Sequence, residues 1–233
     1  MKIGIMQPNF FSYIGYWQLI NIVDKYVIYD DVNYKKRAWM NRNSILINGK
    51  PNWLILPLRK ISQNRLINEI EIDDSGDVRQ KLLKKIIYAY KKAPYYYSAY
   101  PVVEDIMKNS ENQFSHFLIY LIKSISHYLE IKTELIISSS IEKDNTLKGQ
   151  DKILDVCHRL KANEYYNGIG GQHLYSRDIF DNHGISLHFV KANVVEYKQL
   201  SNKFIPNLSI VDIMMFNSVS QIKDFLKQYE LIS

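Results

Sequence analysis

The sequence predicts an α/β protein: an open, mostly parallel sheet flanked by helices, Rossmann-like, with a β-hairpin and a mostly helical central insertion. Three observations predict it. Short apolar runs alternate with helix-periodic segments at both ends of the chain. The first strand–helix–strand spacing suits a right-handed parallel crossover. Polar segments follow the apolar runs, where open α/β sheets hold their ligands.

The elements follow in order. Lys2 to Met6 (KIGIM) is a compact apolar run of strand length. From Tyr16 to Val23, apolar residues at 16, 19, 20 and 23 have helical spacing. Tyr26 to Tyr29 (YVIY) predicts a second strand that ends in Asp30 and Asp31. Ile45 to Ile47, a turn at Asn48-Gly49-Lys50, and Trp53 to Leu58 read as a hairpin, because Asn-Gly supplies the left-handed conformations of a tight hairpin turn. A helix is expected from Asp77 to Tyr90, ended by Pro94, and a longer one over about Asn112 to Leu129. Residues 78–130 thus form the helical insertion in a single domain spanning 1–233. Leu135 to Ser138 is a third parallel strand, and KGQDKILDVCHRLKA a helix with Ile153, Leu154, Val156, Cys157 and Leu160 on its apolar side. EYYNGIGGQHLY reads as a strand running into a glycine loop. A short helix over Asp178 to Asn182 leads to ISLHFV, the last clear strand, and LSIVDIMMFNS and SQIKDFLKQYE read as terminal helices.

Composition bounds the function. Hydrophobic residues make up 46%, enough for a sizeable core and too many for a disordered chain. The formal charge of +6 and pI near 9.1 suit anionic ligands, but the lysines are spread out and form no dense nucleic-acid stripe. The one cysteine, Cys157, excludes an internal disulfide and a cysteine-rich zinc site, and its helical setting predicts a packed thiol. With no signal peptide visible, a cytoplasmic protein is expected. No run approaches the 18 apolar residues of a membrane span. The six histidines show no metal-ligand spacing, so no metal centre is expected.

Three polar segments should converge beyond the strand ends. QPNFFSYIGYW offers a helix start with its unpaired N–H groups, the side chains of Gln7, Asn9, Ser12 and Tyr13, and Gly15 for close approach. The alternative is a packed turn built by Pro8, Phe10 and Phe11. YDDVNYKKRAWMNRN puts adjacent carboxylates, Asp30 and Asp31, before Lys35, Lys36, Arg37 and Arg42, with Asn33, Asn41 and Asn43 between. A carboxylate there can accept an amine proton or hold Mg²⁺, and arginine forks suit phosphates. The alternative is a self-neutralising solvated loop. YYNGIGGQHLY carries Asn167, Gly168, Gly170, Gly171 and His173, without the order of a dinucleotide fingerprint. After the hairpin, LRKISQNRLINEI adds Lys60, Asn64 and two arginines as one wall of an anion site or as an ordinary polar loop.

These blocks, MKIGIMQPNFFSYIGYWQLI, VIYDDVNYKKRAWMNRN, PLRKISQNRLINEI, YYNGIGGQHLY and FIPNLSIVDIMMFN, together resemble the WbqC-like family over essentially the whole chain. Gln7, Pro8, Tyr13, Gly15, Asp30, Asp31, Arg42, Asn43, Asn64, Gly168 and Asp212 lie in the matching blocks, whereas Asn9 and Ser12 depart from the expected aromatic and proline. The resemblance implies a role in O-antigen or other surface-polysaccharide (lipopolysaccharide) biosynthesis. It suggests transfer of glycine to the amino group of an amino sugar. YIGY, Tyr13 to Tyr16, also resembles in position the H-x-G-H signature of HUP-type nucleotidyltransferases, with tyrosine in place of both histidines.

The expectation is an amide-forming aminoacyl transferase with Asp30, Asp31 and Arg42 as catalytic candidates. Gln7, Pro8, Asn9, Tyr13, Gly15, Lys36, Arg37, Asn41, Asn43, Lys60, Asn64, Asn167, Gly168 and Gly170 are the substrate- and nucleotide-binding candidates. The acceptor would be a dTDP- or UDP-linked amino sugar. The donor would be an aminoacyl-tRNA or an adenylate made with ATP and Mg²⁺. The alternatives are a nucleotidyltransferase-like nucleotide-sugar enzyme and a non-catalytic subunit of polysaccharide assembly.

Overall fold

The fold is given by a computed structural model that describes residues 1–36, 38–200 and 203–232. In chain order the elements are β1 (Lys2–Met6), α1 (Ile14–Ile22), β2 (Lys25–Ile28), β3 (Arg42–Ile47), β4 (Lys50–Ile55), β5 (Leu58–Arg59) and β6 (Glu71–Ile72). The helical section holds α2 (Val78–Tyr90), α3 (Tyr96–Lys108) and α4 (Phe114–Tyr128). The remainder is β7 (Glu134–Ile137), α5 (Gly149–Arg159), β8 (Glu164–Gly168), α6 (Arg177–Asn182), β9 (Ser186–Ala192), α7 (Ile210–Phe216), α8 (Val219–Phe225) and β10 (Tyr229–Ile232).

The central sheet has the order β10-β9-β8-β1-β2-β7. β9, β8, β1, β2 and β7 pair in parallel, and β10 closes the β9 edge antiparallel. Taken in chain order, the parallel strands run 3-2-1-4-5, the order of a doubly wound sheet whose topology reverses between β1 and β8. The expected open α/β architecture is therefore the observed one.

Alternation within the strands sends side chains to two cores. Ile3, Ile5 and Val27 pack with Ile153, Val156 and Cys157 of α5 and with Phe180, Leu187 and Phe189. On the opposite face Tyr26 and Ile28 join Trp17 and Leu19 of α1, Phe117 and Ile122 of α4, and Met214 of α7. That larger core runs without a break from the sheet into α2, α3 and α4. Cys157 is fully buried, and burial pushes its thiol up to about 12.

The hairpin forms with β3 and β4 in register from Ile47↔Lys50 to Arg42↔Ile55, so its second strand lies earlier than Trp53 to Leu58. Asn48 and Gly49 both take positive φ, 50° and 72°, as a tight hairpin turn requires. α3, a helix not expected from the sequence, continues through Pro101, because Ala99, Val103, Ile106 and Met107 bury one face and outweigh the lost backbone bond. One further reading changes. SQIKDFLKQYE is helical only to Phe225; its last residues turn and enter β10, where Tyr229 pairs with Ala192. A short sheet-edge partner leaves no helical or strand periodicity long enough to read.

Candidate functional site

The loops beyond the carboxyl ends of β2 and β7 enclose a cavity of about 630 Å³. Its walls come from Tyr29, Asp31, Val32 and Asn33 after β2, Leu66 and Asn68, Ser139 after β7, and residues between Lys143 and Lys152 where α5 starts. Three lysines, Lys143, Lys148 and Lys152, face it with one carboxylate, Asp31.

Asp31 is the centre of the cluster. Its Oδ2 lies 2.8 Å from Lys143 Nζ and 3.2 Å from Lys152 Nζ. The Lys143 side chain is only 1% exposed, so the pair is removed from solvent screening. Lys152 Nζ also donates to the Asp31 carbonyl and lies 5.5 Å from the centre of the Tyr29 ring. Lys143 Nζ donates to the Ser138 carbonyl. Burial alone would raise the Asp31 pKa. The hydrogen bond from Lys143 and the charges of both lysines outweigh it and hold the carboxyl below its ordinary value. Beside it, Asp30 is buried and accepts from the Ser139 amide at 2.9 Å and the Ser139 hydroxyl at 2.7 Å.

Asp30 is thus taken up by a serine and Asp31 Oδ2 by an ammonium pair, which leaves Asp31 Oδ1 as a buried oxygen with no hydrogen-bond partner among the described residues. That donor set does not fit Mg²⁺, which wants several free oxygen ligands in octahedral array. Among the described residues, no three His, Cys, Asp or Glu side chains gather closely enough for a metal ion.

The start of α5 adds to the anion affinity of the lysines. Lys148 is its N-cap and makes no side-chain cap, so the first backbone N–H groups are left to solvent or ligand. Asp151 in the first turn partly offsets the dipole. Asn33, Asn68, Asn145 and Ser139 supply uncharged hydrogen-bonding groups to the same cavity.

A second, smaller cleft of about 330 Å³ is lined by Tyr13, Trp39, Asn43 and Asn207. Its floor is built by the turn after β1. Phe11 is fully buried at φ 43°, a region non-glycine residues avoid, and its carbonyl is held by Asn43 Nδ2 at 2.8 Å and Ser209 Oγ at 2.9 Å. The strained turn fixes Tyr13 at the N-cap of α1. A Cβ on Gly15 would lie 2.6 Å from the Tyr13 ring, so that glycine is what lets the ring fold over the first helical turn.

The candidate residues divide between these places. Asp31 lines the first cavity; Tyr13 and Asn43 line the second. Asn41 is spent on the hairpin, donating to the Leu56 carbonyl and accepting from the Tyr34 hydroxyl. Arg42 lays its guanidinium 5.4 Å from the centre of the Trp53 ring. Asn167 bonds the Tyr165 and Tyr175 hydroxyls, and Gly168 approaches Met6, at the reversal point between β1 and β8. Gln7 accepts the Tyr16 hydroxyl on its carbonyl, Pro8 is buried and Asn9 half-buried. Lys36, Lys60 and Asn64 are exposed and Gly170 faces open space; these four line neither cavity. Arg37 lies outside the described residues. Lys143, Lys148 and Lys152 were not legible as site residues, because lysine is common along the whole chain. The one available signal is the Lys148-Gly149 pair that opens a helix in the long connection after a parallel strand.

The fold and these cavities define a doubly wound α/β protein with its polar clefts beyond the carboxyl ends of the strands. Residues 7–224 match the model of the WbqC-like protein family, and the chain belongs to that family. It is 28% identical over 229 residues to Rv1507c of Mycobacterium tuberculosis, described as an uncharacterized protein, covering 97% of each chain. No solved structure matches. Among the described residues, no helix is long and apolar enough to cross a membrane.

Proposed function

We propose that the protein is an N-acyl transferase, aminoacyl and by family resemblance glycyl, that modifies the amino group of a dTDP- or UDP-linked amino sugar for O-antigen or another surface polysaccharide. The observation that carries this reading is the buried cluster of Asp31 between Lys143 and Lys152 in a cavity of about 630 Å³.

Amide formation needs an unprotonated amine, an activated carboxyl group and a counter-charge for the tetrahedral oxyanion. Lysine ammoniums close to a bound amino sugar disfavour its ammonium form, so the amine is kept neutral and nucleophilic. The same ammoniums, with Lys148 and the start of α5, offer positive charge to a diphosphate or to the developing oxyanion. Asp31, held ionised, is a weak base but a good hydrogen-bond acceptor, and serves to orient the amine rather than to carry its proton away. The C–N bond forms as the acyl carbon releases its leaving group, the phosphate of an adenylate or the ribose oxygen of a tRNA, and the proton leaves with that group or to solvent.

The test mixes the protein with dTDP- and UDP-amino sugars, first with glycine, ATP and Mg²⁺ and then with glycyl-tRNA, and follows the amide by mass. Product that depends on the protein and falls at least a hundredfold in Lys143→Gln and Lys152→Gln supports the reading. No amide across a broad panel of amino sugars and donors sinks it. Pyrophosphate released from a nucleoside triphosphate and a sugar phosphate, with no amino acid present, would make it a nucleotidyltransferase instead.

A further inference from the structure

The cleft at Tyr13 and Trp39 gathers exposed aromatic rings. Tyr13 is 40% exposed, Trp39 53% and the neighbouring Trp53 47%, in a chain that buries Trp17 completely. Large aromatic side chains left in water at one place mark a binding surface. The rings are also braced. Trp39 lies 5.5 Å from Trp53, and the Arg42 guanidinium sits on Trp53 in turn. Tyr13 is fixed by the strained Phe11 turn and by the space that Gly15 leaves. Bracing lowers the entropy lost when a flat ligand stacks against them.

Among the described residues, the rest of the lining is two carboxamides, Asn43 and Asn207. Asn43 is held in one orientation: its Nδ2 donates to the Phe11 carbonyl and its Oδ1 accepts from the Ser44 amide. Asn43 is 2% exposed, and among the described residues no partner takes its other amide proton and carbonyl lone pair. A carboxamide presents a donor and an acceptor side by side, which matches the edge of a nucleobase, while an aromatic ring matches its face.

We infer that the cleft between Tyr13 and Trp39 is the subsite for the nucleobase of the nucleotide-linked substrate. It rests on the nucleotide-linked part of the proposed function and not on the amide chemistry. One segment serves both cavities: Asp31 and Asn33 line the lysine cavity, and Trp39 and Asn43 line the aromatic cleft. The six-residue step from Asn33 to Trp39 separates their Cα atoms by at most about 20 Å. The base and the diphosphate of one ligand are therefore recognised by neighbouring surfaces of different chemistry.

Binding of UDP, dTDP and inorganic pyrophosphate, followed by calorimetry and by quenching of the three tryptophans, tests this. Trp39→Ala should weaken UDP and dTDP about tenfold or more, as loss of base stacking does, and leave pyrophosphate unchanged. Trp39→Phe should keep most of the affinity. Trp39 is half-exposed, so circular dichroism and thermal melting should match the wild type. Unchanged UDP and dTDP affinity in Trp39→Ala overturns the assignment. So does binding of UDP and dTDP no tighter than pyrophosphate, or quenching by the free amino sugar but not by nucleotides. Amide formation with an unaltered nucleotide Kd in Trp39→Ala would sink this subsite alone. Nucleotide binding through Trp39 with no amide product would sink the acyl-transfer reading alone.

Discussion

Asp31 and Asp212 are both buried carboxylates, and their surroundings push them in opposite directions. Asp31 has two ammonium partners and titrates below its ordinary 3.8. The unfolded chain then binds its proton more readily than the native one. Its contribution to stability is present above about pH 4 and fades as the pH falls through the lowered native value. Asp31→Asn leaves two buried lysines without a counter-charge and should cost about 3 kcal/mol or more in urea unfolding at pH 7, with less acid sensitivity remaining below pH 4. Asp212 is fully buried, and accepts from Tyr90 and Tyr197 hydroxyls at 2.7 Å each and from Gln199 at 3.0 Å. Burial raises its pKa, and the three hydrogen bonds only partly oppose this. Here the native state holds the proton better, so stability falls as the pH rises from 3.8 through the raised native value. Asp212→Ala strands three donors and should destabilise by about 3 kcal/mol or more, whereas Asp212→Asn should lose the pH dependence of this group. Neither environment is legible locally. Asp31 sits 112 residues before one of its lysines and 121 before the other, and the tyrosines of Asp212 lie 122 and 15 residues before it. The aspartates could be picked out as strand-end or family-block residues, but their partners are a product of the topology.

At the scale of elements, local chemistry is read well where one rule decides and poorly where two compete. The strand Lys2 to Met6 and the turn at Asn48-Gly49 each obey a single strong rule, and both form as expected. Gly49→Ala forces a Cβ onto a φ of 72° and should cost about 1 kcal/mol. For a chain of this size that lowers Tm by about 2–4 °C, measurable by calorimetry, and Asn48→Gly should leave it nearly unchanged. α3 was obscured because Pro101 argues for a break while its buried face argues for a helix, and burial wins. The tail at Tyr229–Ile232 carries too few residues for periodicity, and its pairing with β9 is decided by the sheet edge it completes.

The whole molecule raises the question of whether the helical section is a separable unit. Residues 78–130 bury Leu83, Ile86, Tyr90, Val103, Phe117 and Ile122 in the same core that takes Tyr26 and Ile28 from the sheet and Trp17 from α1. The Tyr90 hydroxyl donates to Asp212 in α7 and accepts from the Leu46 amide in the hairpin, so one side chain joins three parts of the chain. The Tyr95 amide donates to the Met215 carbonyl, which ties the start of α3 to α7. A section inserted in this way loses much of what its apolar faces pack against once the sheet is gone. The chain should therefore unfold in one transition, although its length would permit two. Far-ultraviolet dichroism, which follows the helices, and the fluorescence of Trp17, which sits between α1 and the sheet, should give the same urea midpoint and the same m value. Ile86→Ala in α2 should shift both midpoints together by the equivalent of about 3 kcal/mol, because its cavity opens in the shared core. Separate midpoints, or a shift confined to the dichroism signal, would show that residues 78–130 fold independently of the sheet.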